Sequence, residues 1–155
     1  MIEVREALGP GRRQWLAKLV EAWGDPIIAG GEAYRLDECT LFVAGRGEGL
    51  AAIDRRSAPI AELVAINAFV ARQGIGTALI EHVSAELRAG GFRQLRLTTT
   101  NDNLDALRFY QRRGFRLTAL RPGAVDEARR RKPSIPLVGD HGVPIRDEID
   151  LVRDL

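Results

Sequence analysis

Residues 60–69 form an almost unbroken apolar run, Ile-Ala-Glu-Leu-Val-Ala-Ile-Asn-Ala-Phe, entered at Pro59 and interrupted only by Glu62 and Asn67. A strand with one wet face alternates apolar and polar residues, so this run reads as a central strand buried on both faces. It needs a sheet neighbour on each edge and a layer on each face. The next segment supplies one layer: after Gly74-Ile75-Gly76 a helix runs to about residue 88, with Ile75, Leu79, Val83 and Leu87 on one face and Gly90-Gly91 closing it. Residues 94–99, rich in β-branched side chains, then read as a strand. A strand-helix-strand unit of this kind is parallel.

The rest of the chain fits around that unit. Ile2 and Val4 suggest a short strand, and residues 12–23 place Trp15, Leu16, Leu19, Val20 and Trp23 along one helical stripe. Residues 27–36 show no clear period and read as a loop with one short helical turn. Residues 40–44 and 49–53 are strands flanking Gly45-Arg46-Gly47-Glu48, a hairpin connection of ordinary length. Residues 103–113 read as a helix, 115–120 as a strand, 126–132 as one or two helical turns and 145–152 as a last alternating strand. The fold class is therefore α/β: a mixed sheet with helices on both faces, in which antiparallel hairpins precede a parallel pair.

Composition narrows the function. A chain of 155 residues is the size of one ordinary domain, 1–155, and 45% hydrophobic with 28% charged residues excludes a disordered or membrane-embedded class. With no apolar run of spanning length and no signal core at the start, the expectation is a cytoplasmic protein that engages no membrane. Cys39 stands alone, and His82 and His141 form no ligand-spaced pair, so no metal site is expected. Of 23 basic residues 21 are Arg, yet 21 acidic residues leave a net charge of only +2. The arginines suit either anionic ligands or a simple compositional bias, and the near-neutral balance argues against nucleic acid.

Two blocks carry chemistry. Ala71-Arg72-Gln73-Gly74-Ile75-Gly76-Thr77, between a buried strand and a helix start, aims backbone N–H groups and the positive end of the helix dipole at a phosphate. Position 79 is Leu79 rather than a third glycine, which excludes the dinucleotide fingerprint, and no Gly-Lys-Ser or Gly-Lys-Thr makes a Walker loop. One strand later stands Asn103-Leu-Asp-Ala106-Leu-Arg-Phe109-Tyr110-Gln-Arg-Arg-Gly114-Phe115. Together the blocks resemble the GNAT superfamily of acyl-CoA-dependent N-acyltransferases, which carry Gln/Arg-x-x-Gly-x-Gly/Ala followed by Asn-x-x-Ala-x-x-x-Tyr-x-x-x-Gly-Phe. One departure is plain: the family's Gln or Arg is Ala71 here, with Arg72 beside it.

The resemblance implies a mostly antiparallel sheet whose central parallel pair splays apart, with acetyl-CoA as cosubstrate and a small-molecule or peptide amine as acceptor. It implies pantetheine against Ile66 and Asn67, pyrophosphate on Arg72, Gln73, Gly74, Ile75, Gly76 and Thr77, and Asn103 on the pantetheine arm. Asn103 equally suits a helix N-cap. Tyr110 matches the family tyrosine that protonates the leaving thiolate, although a core aromatic fits the same position. Glu62 is the general-base candidate: a carboxylate in an apolar strand is costly unless paired or functional, and burial would raise its pKa toward neutrality. An ion pair with an arginine explains it as well. Glu148 and Asp150 share a strand face that could meet a cationic amine or simply solvent. Trp15, Trp23 and Tyr34 could wall an acceptor pocket, though a core stripe accounts for both tryptophans. The implied chemistry is direct transfer with no covalent enzyme intermediate, which leaves Cys39 inert. A catalytically silent acyl-CoA-binding module is the alternative, and homodimers are common in the family.

Overall fold

The computed structural model describes residues 1–155. In chain order the elements are β1 (Val4–Glu6), α1 (Arg12–Trp23), β2 (Ile27–Ala29), β3 (Glu32–Tyr34), β4 (Thr40–Ala44), β5 (Gly49–Asp54), β6 (Ile60–Ala68), α2 (Ile75–Ala89), β7 (Gln94–Thr100), α3 (Leu104–Gln111), β8 (Arg116–Arg121), α4 (Ala124–Arg131) and β9 (Glu148–Asp154). They fall into two compact units, one of Met1–Ile27, Tyr34–Leu95 and Leu155, the other of Ile28–Ala33 and Arg96–Asp154. No helix is long and apolar enough to cross a membrane.

In the first unit β1, β4, β5 and β6 form an antiparallel run. Alternation sends the side chains of β4 to opposite layers. Leu41 and Val43 join Leu19, Leu36, Leu50 and Ala52 in a core packed against Trp15, Leu16 and Val20 of α1. Phe42 instead meets His82 of α2 edge to face, ring centroids 5.8 Å apart. Helices thus cover both faces, and all six residues of β5 are buried. Truncating Leu19, which is fully buried, to alanine would cost about 2–5 kcal/mol in lost contacts and residual cavity.

The parallel pair begins in this unit. The Pro59 carbonyl, at the start of β6, accepts hydrogen bonds from the backbone N–H groups of Arg93 (2.8 Å) and Gln94 (3.4 Å) at the start of β7. The two neighbouring strands therefore set off from the same end. The expected class holds: a mixed α/β fold, mostly antiparallel, with one parallel pair.

In the second unit β9 lies between β7 and β8. Thr98 is level with Asp150, and Asn101 with Asp147, so β7 and β9 run antiparallel. Strand β8 pairs with β9 antiparallel, Arg121 directly opposite Glu148, and carries its own irregularity at Thr118.

Three boundaries differ from the sequence reading. Residues 27–36, expected as a loop, hold the hairpin β2-β3, turned by Gly30 and Gly31 at φ 60° and 79°, and the helical turn follows at Leu36–Glu38. Strand β9 starts at Glu148 rather than 145, because the Arg146 and Asp147 amides donate to the Asn101 side chain (3.0 Å each) instead of to a strand ladder. Helix α4 starts at Ala124 behind Gly123, a glycine in the left-handed region.

Candidate functional site

The candidate cofactor-binding residues of the first unit sit on one continuous path, the second half of β6, its following loop and the first turn of α2. Strand β6 is irregular where that path begins. Ala65 pairs with Ala52 and Leu63 with Ile53, so Val64 is an extra residue on β6 with no partner on β5. Such a bulge interrupts the hydrogen-bond ladder and bends the strand. Beyond it Ile66 and Asn67 are only partly buried, while Glu62 on its other side is 6% exposed.

Glu62 is directly opposite Asp54 of β5, equally buried. Two carboxylates in register repel. Asp54 is held by Arg56, whose Nε donates to Oδ2 at 2.7 Å and whose backbone N–H donates to Oδ1 at 2.9 Å. Asp54 was not singled out in the sequence; its signal was the polar end of an otherwise apolar strand, followed by two arginines.

The loop after β6 is built to leave its backbone open. Ala71, Arg72, Gln73 and Gly74 are exposed. Gly74 precedes α2 at φ 71°, and no side chain caps the helix. A Cβ at Gly74 would meet nothing within 4 Å, so the space above the helix start is free. Arg72 also lies in the left-handed region, at φ 60°, a conformation that costs a non-glycine residue about 1–2 kcal/mol. Ile75 is buried and anchors the turn, while Gly76 and Thr77 are half-buried. A 15-residue helix with an uncapped, exposed N-terminus behind a left-handed glycine fits an anionic diphosphate: it offers unclaimed amides and a dipole end of the right sign.

Asn103 and Tyr110 lie in the second unit, at the two ends of α3. The Asn103 side chain accepts a hydrogen bond from the Ala106 amide at 3.2 Å, so it is the N-cap. Tyr110 is 8% exposed and packs edge to face with Phe109 and Phe115, at centroid distances of 5.3 and 5.4 Å. Burial raises its phenol pKa above the ordinary value, which keeps the proton on oxygen throughout the neutral range.

The strongest polar cluster of this unit was only half visible in the sequence. Arg121 donates from Nε and Nη2 to Glu148 (3.3 and 3.2 Å) and from Nη1 and Nη2 to Asp150 (2.5 and 2.7 Å), and Thr98 adds a hydroxyl bond to Asp150 at 2.7 Å. Glu148 is 4% exposed. Its shared face with Asp150 therefore meets a guanidinium rather than solvent. Burial alone would raise the Asp150 pKa, but hydrogen bonds from Arg121 and Thr98 and the charges of Arg121 and Arg96 outweigh it and hold the group below its ordinary value.

Trp15 is a core residue packed on the α1 cluster, and Trp23 is largely exposed. Burial, reinforced by Asp54 and opposed by Arg56 and Arg12, pushes the Cys39 thiol up to about 12. The thiolate is the nucleophile, so this cysteine is unreactive at neutral pH.

Comparison with known proteins agrees with the two motif blocks. Residues 9–115 match the model of the acetyltransferase (GNAT) family. The chain is 37% identical over 134 residues to the uncharacterized protein YdhI of Bacillus subtilis (strain 168), covering 82% of each. It is 47% identical over 94 residues to the uncharacterized protein YxbD of the same organism, a match spanning 61% of this chain and 59% of that one. Among solved structures, a GNAT family acetyltransferase from Elizabethkingia anophelis with acetyl-CoA bound superposes with a TM-score of 0.74 at 20% identity, covering 99% of this chain and 98% of that one. A Bacillus subtilis acetyltransferase in complex with CoA gives 0.74 at 17% identity over 100% and 99%. These structures share the fold.

Proposed function

Since the chain belongs to the GNAT family of acetyltransferases, we propose that it transfers an acetyl group from acetyl-CoA to a primary amine by direct attack within a ternary complex. The observation that carries this reading is the sequence of a bulged, buried strand, an exposed loop and an uncapped helix start at residues 60–78. Arg72, Gln73, Gly74, Ile75, Gly76 and Thr77 would hold the pyrophosphate, chiefly through backbone N–H groups, and Ile66 and Asn67 would offer the strand edge to the pantetheine arm.

In the reaction the amine arrives as an ammonium and first loses a proton to Glu62 through water. The neutral nitrogen attacks the thioester carbonyl carbon, a C–N bond forms and the C–S bond breaks. Backbone N–H groups freed near the bulge at Val64 would stabilise the oxyanion. Tyr110 gives its proton to the departing thiolate, and the second nitrogen proton returns to solvent, leaving an amide and CoA. Asn103 caps α3 and so fixes the helix that carries Tyr110. A cytoplasmic setting, where acetyl-CoA is at hand, fits this reading.

The test is release of CoA thiol from acetyl-CoA across a panel of free amino acids, polyamines, aminoglycosides and peptides. Release that depends on one amine class supports the reading. Tight binding of acetyl-CoA with no release by any amine would establish the silent binding module instead.

A further inference from the structure

The connection between α4 and β9, residues 132–147, is irregular apart from a short helical turn at Asp140–Gly142 and one isolated bridge, Val138 to Pro144. A segment of that length without regular structure is uncommon in a compact fold and is usually either mobile or functional. This one is held from both sides. It folds back on itself, the Gly139 amide donating to the Val143 carbonyl at 2.9 Å and the Ile145 amide to the Leu137 carbonyl at 3.0 Å. On one flank Arg129 of α4 donates to the carbonyls of Ile135, Pro136 and Ile145, at 3.1, 2.8 and 2.9 Å. On the other stand the residues that join β7 to α3. Asn101 Nδ2 donates to the Pro144 carbonyl at 2.9 Å, and Asp102 Oδ2 accepts from the Asp140 amide at 3.0 Å.

Asp102 is the centre of this clasp. It is 5% exposed, and its Oδ1 accepts from the hydroxyl of Thr100 at the end of β7. Both donors are neutral, so the buried charge is held only by its hydrogen bonds. The two bonds fall on different carboxylate oxygens, an arrangement that an asparagine, with one oxygen, cannot reproduce. The fit is tight: a Cβ on Gly139 would run into the Asp102 carboxylate and the Ile145 side chain.

Helix α3 follows at once. Asn103 is its N-cap, and Tyr110 is the one residue of α3 itself that is buried. The helix, about 12 Å long, is therefore anchored at two points, the clasp at its start and the phenol ring near its end. Slackening the first leaves the helix free to pivot on the second. We propose that Asp102, held by Thr100 and the Asp140 amide, is a positioning residue that sets the direction of α3 and so aims the Tyr110 hydroxyl at the departing thiolate. The inference rests on the acyl-transfer reading above and deepens it, by giving the 132–147 connection a part in the reaction. Misplacing a catalytic group by about 1 Å can cost on the order of 100-fold in rate.

The experiment measures kcat and KM by CoA release, with whichever free amino acid, polyamine, aminoglycoside or peptide of the panel reacts fastest. Thr100→Val, Thr100→Ser and Asp102→Asn are each made alone and in the Tyr110→Phe background. Thr100→Val removes one hydroxyl at nearly constant shape in a strand and keeps the fold, which a melting curve checks. The expected result is a kcat about tenfold lower in Thr100→Val and lower still in Asp102→Asn, with the KM for acetyl-CoA within about twofold of wild type. Thr100→Ser, which keeps the hydroxyl, restores kcat. In the Tyr110→Phe background the same substitutions change kcat less than about twofold, because no phenol remains to be aimed. An unchanged kcat in Thr100→Val, no rescue by serine, or falls of equal size in both backgrounds overturns the inference and leaves amine acylation standing. So does a Tyr110→Phe variant as fast as wild type. No release by any amine overturns both.

Discussion

A phenol packed between Phe109 and Phe115 holds its proton beyond the ordinary tyrosine range, because the charged form would be stranded in apolar surroundings. That keeps Tyr110 protonated, and so able to donate, through the neutral and mildly alkaline range. Tyr110→Phe keeps the ring packing and removes only the donor, so kcat should fall about 100-fold while acetyl-CoA affinity holds. Unchanged turnover would reduce Tyr110 to a core aromatic. Glu62→Gln should remove the acidic limb of the kcat/KM profile; a limb that persists would assign the base elsewhere. Asp150 provides a stability test with a fixed sign. Its native pKa lies below the unfolded value, so the unfolded chain binds more protons between the two. The stabilisation from Arg121 is present above about pH 4, the ordinary carboxylate range, and is lost as pH falls through the native value. Wild type should melt above Asp150→Asn at pH 7, and the gap should close on acidification. A gap constant through the carboxylate range would mean that packing, not charge, sets it.

Among the elements, the link between β5 and α2 decides where the phosphate loop sits. A Cβ on Gly49 would run into Ile75 Cγ2, lie 3.0 Å from Leu79 Cδ1 and 3.3 Å from the Asn67 carbonyl, so the first turn of α2 must move if that position carries a side chain. Gly49→Ala should cost about 1–3 kcal/mol in urea unfolding and weaken acetyl-CoA binding as well. Lost stability at unaltered affinity would show that the loop holds its place without β5. This contact was not legible in the sequence, where Gly49 was only the start of a strand. Strand β6 and helix α2 were legible, because a run buried on both faces and a 3.6-residue stripe leave direct marks on composition. The hairpin β2-β3 was not, since three-residue strands are too short to show a period. The bulge at Val64 is set by pairing with β5, and the bond between Arg121 and Glu148 by β8-β9 register; neither is a property of a local segment. The acids of β9 stood out, but their partner, 27 and 29 residues away, did not.

At the level of the whole chain, the net charge of +2 offers little long-range attraction to a polyanionic ligand, so affinity must come from local geometry. The amides at the start of α2 are fixed by the fold and need no side-chain ordering on binding. Ligand that binds only the native chain stabilises it by mass action, about 2.7 kcal/mol at 100 times Kd. For a protein of this size that corresponds to a rise in Tm of roughly 5–10 °C. Acetyl-CoA and CoA should both produce it, since they share the pyrophosphate, and dephosphorylated pantetheine should not. Arg72, exposed on the loop, adds one guanidinium to a backbone cradle, so Arg72→Ala should shrink the shift without abolishing it. Abolition would move the site's main contact from backbone to side chain, and place the role of the family's missing Gln or Arg on the residue beside Ala71. An unmoved Tm at saturating acetyl-CoA would leave the exposed loop without a ligand and remove the basis for acetyl transfer altogether.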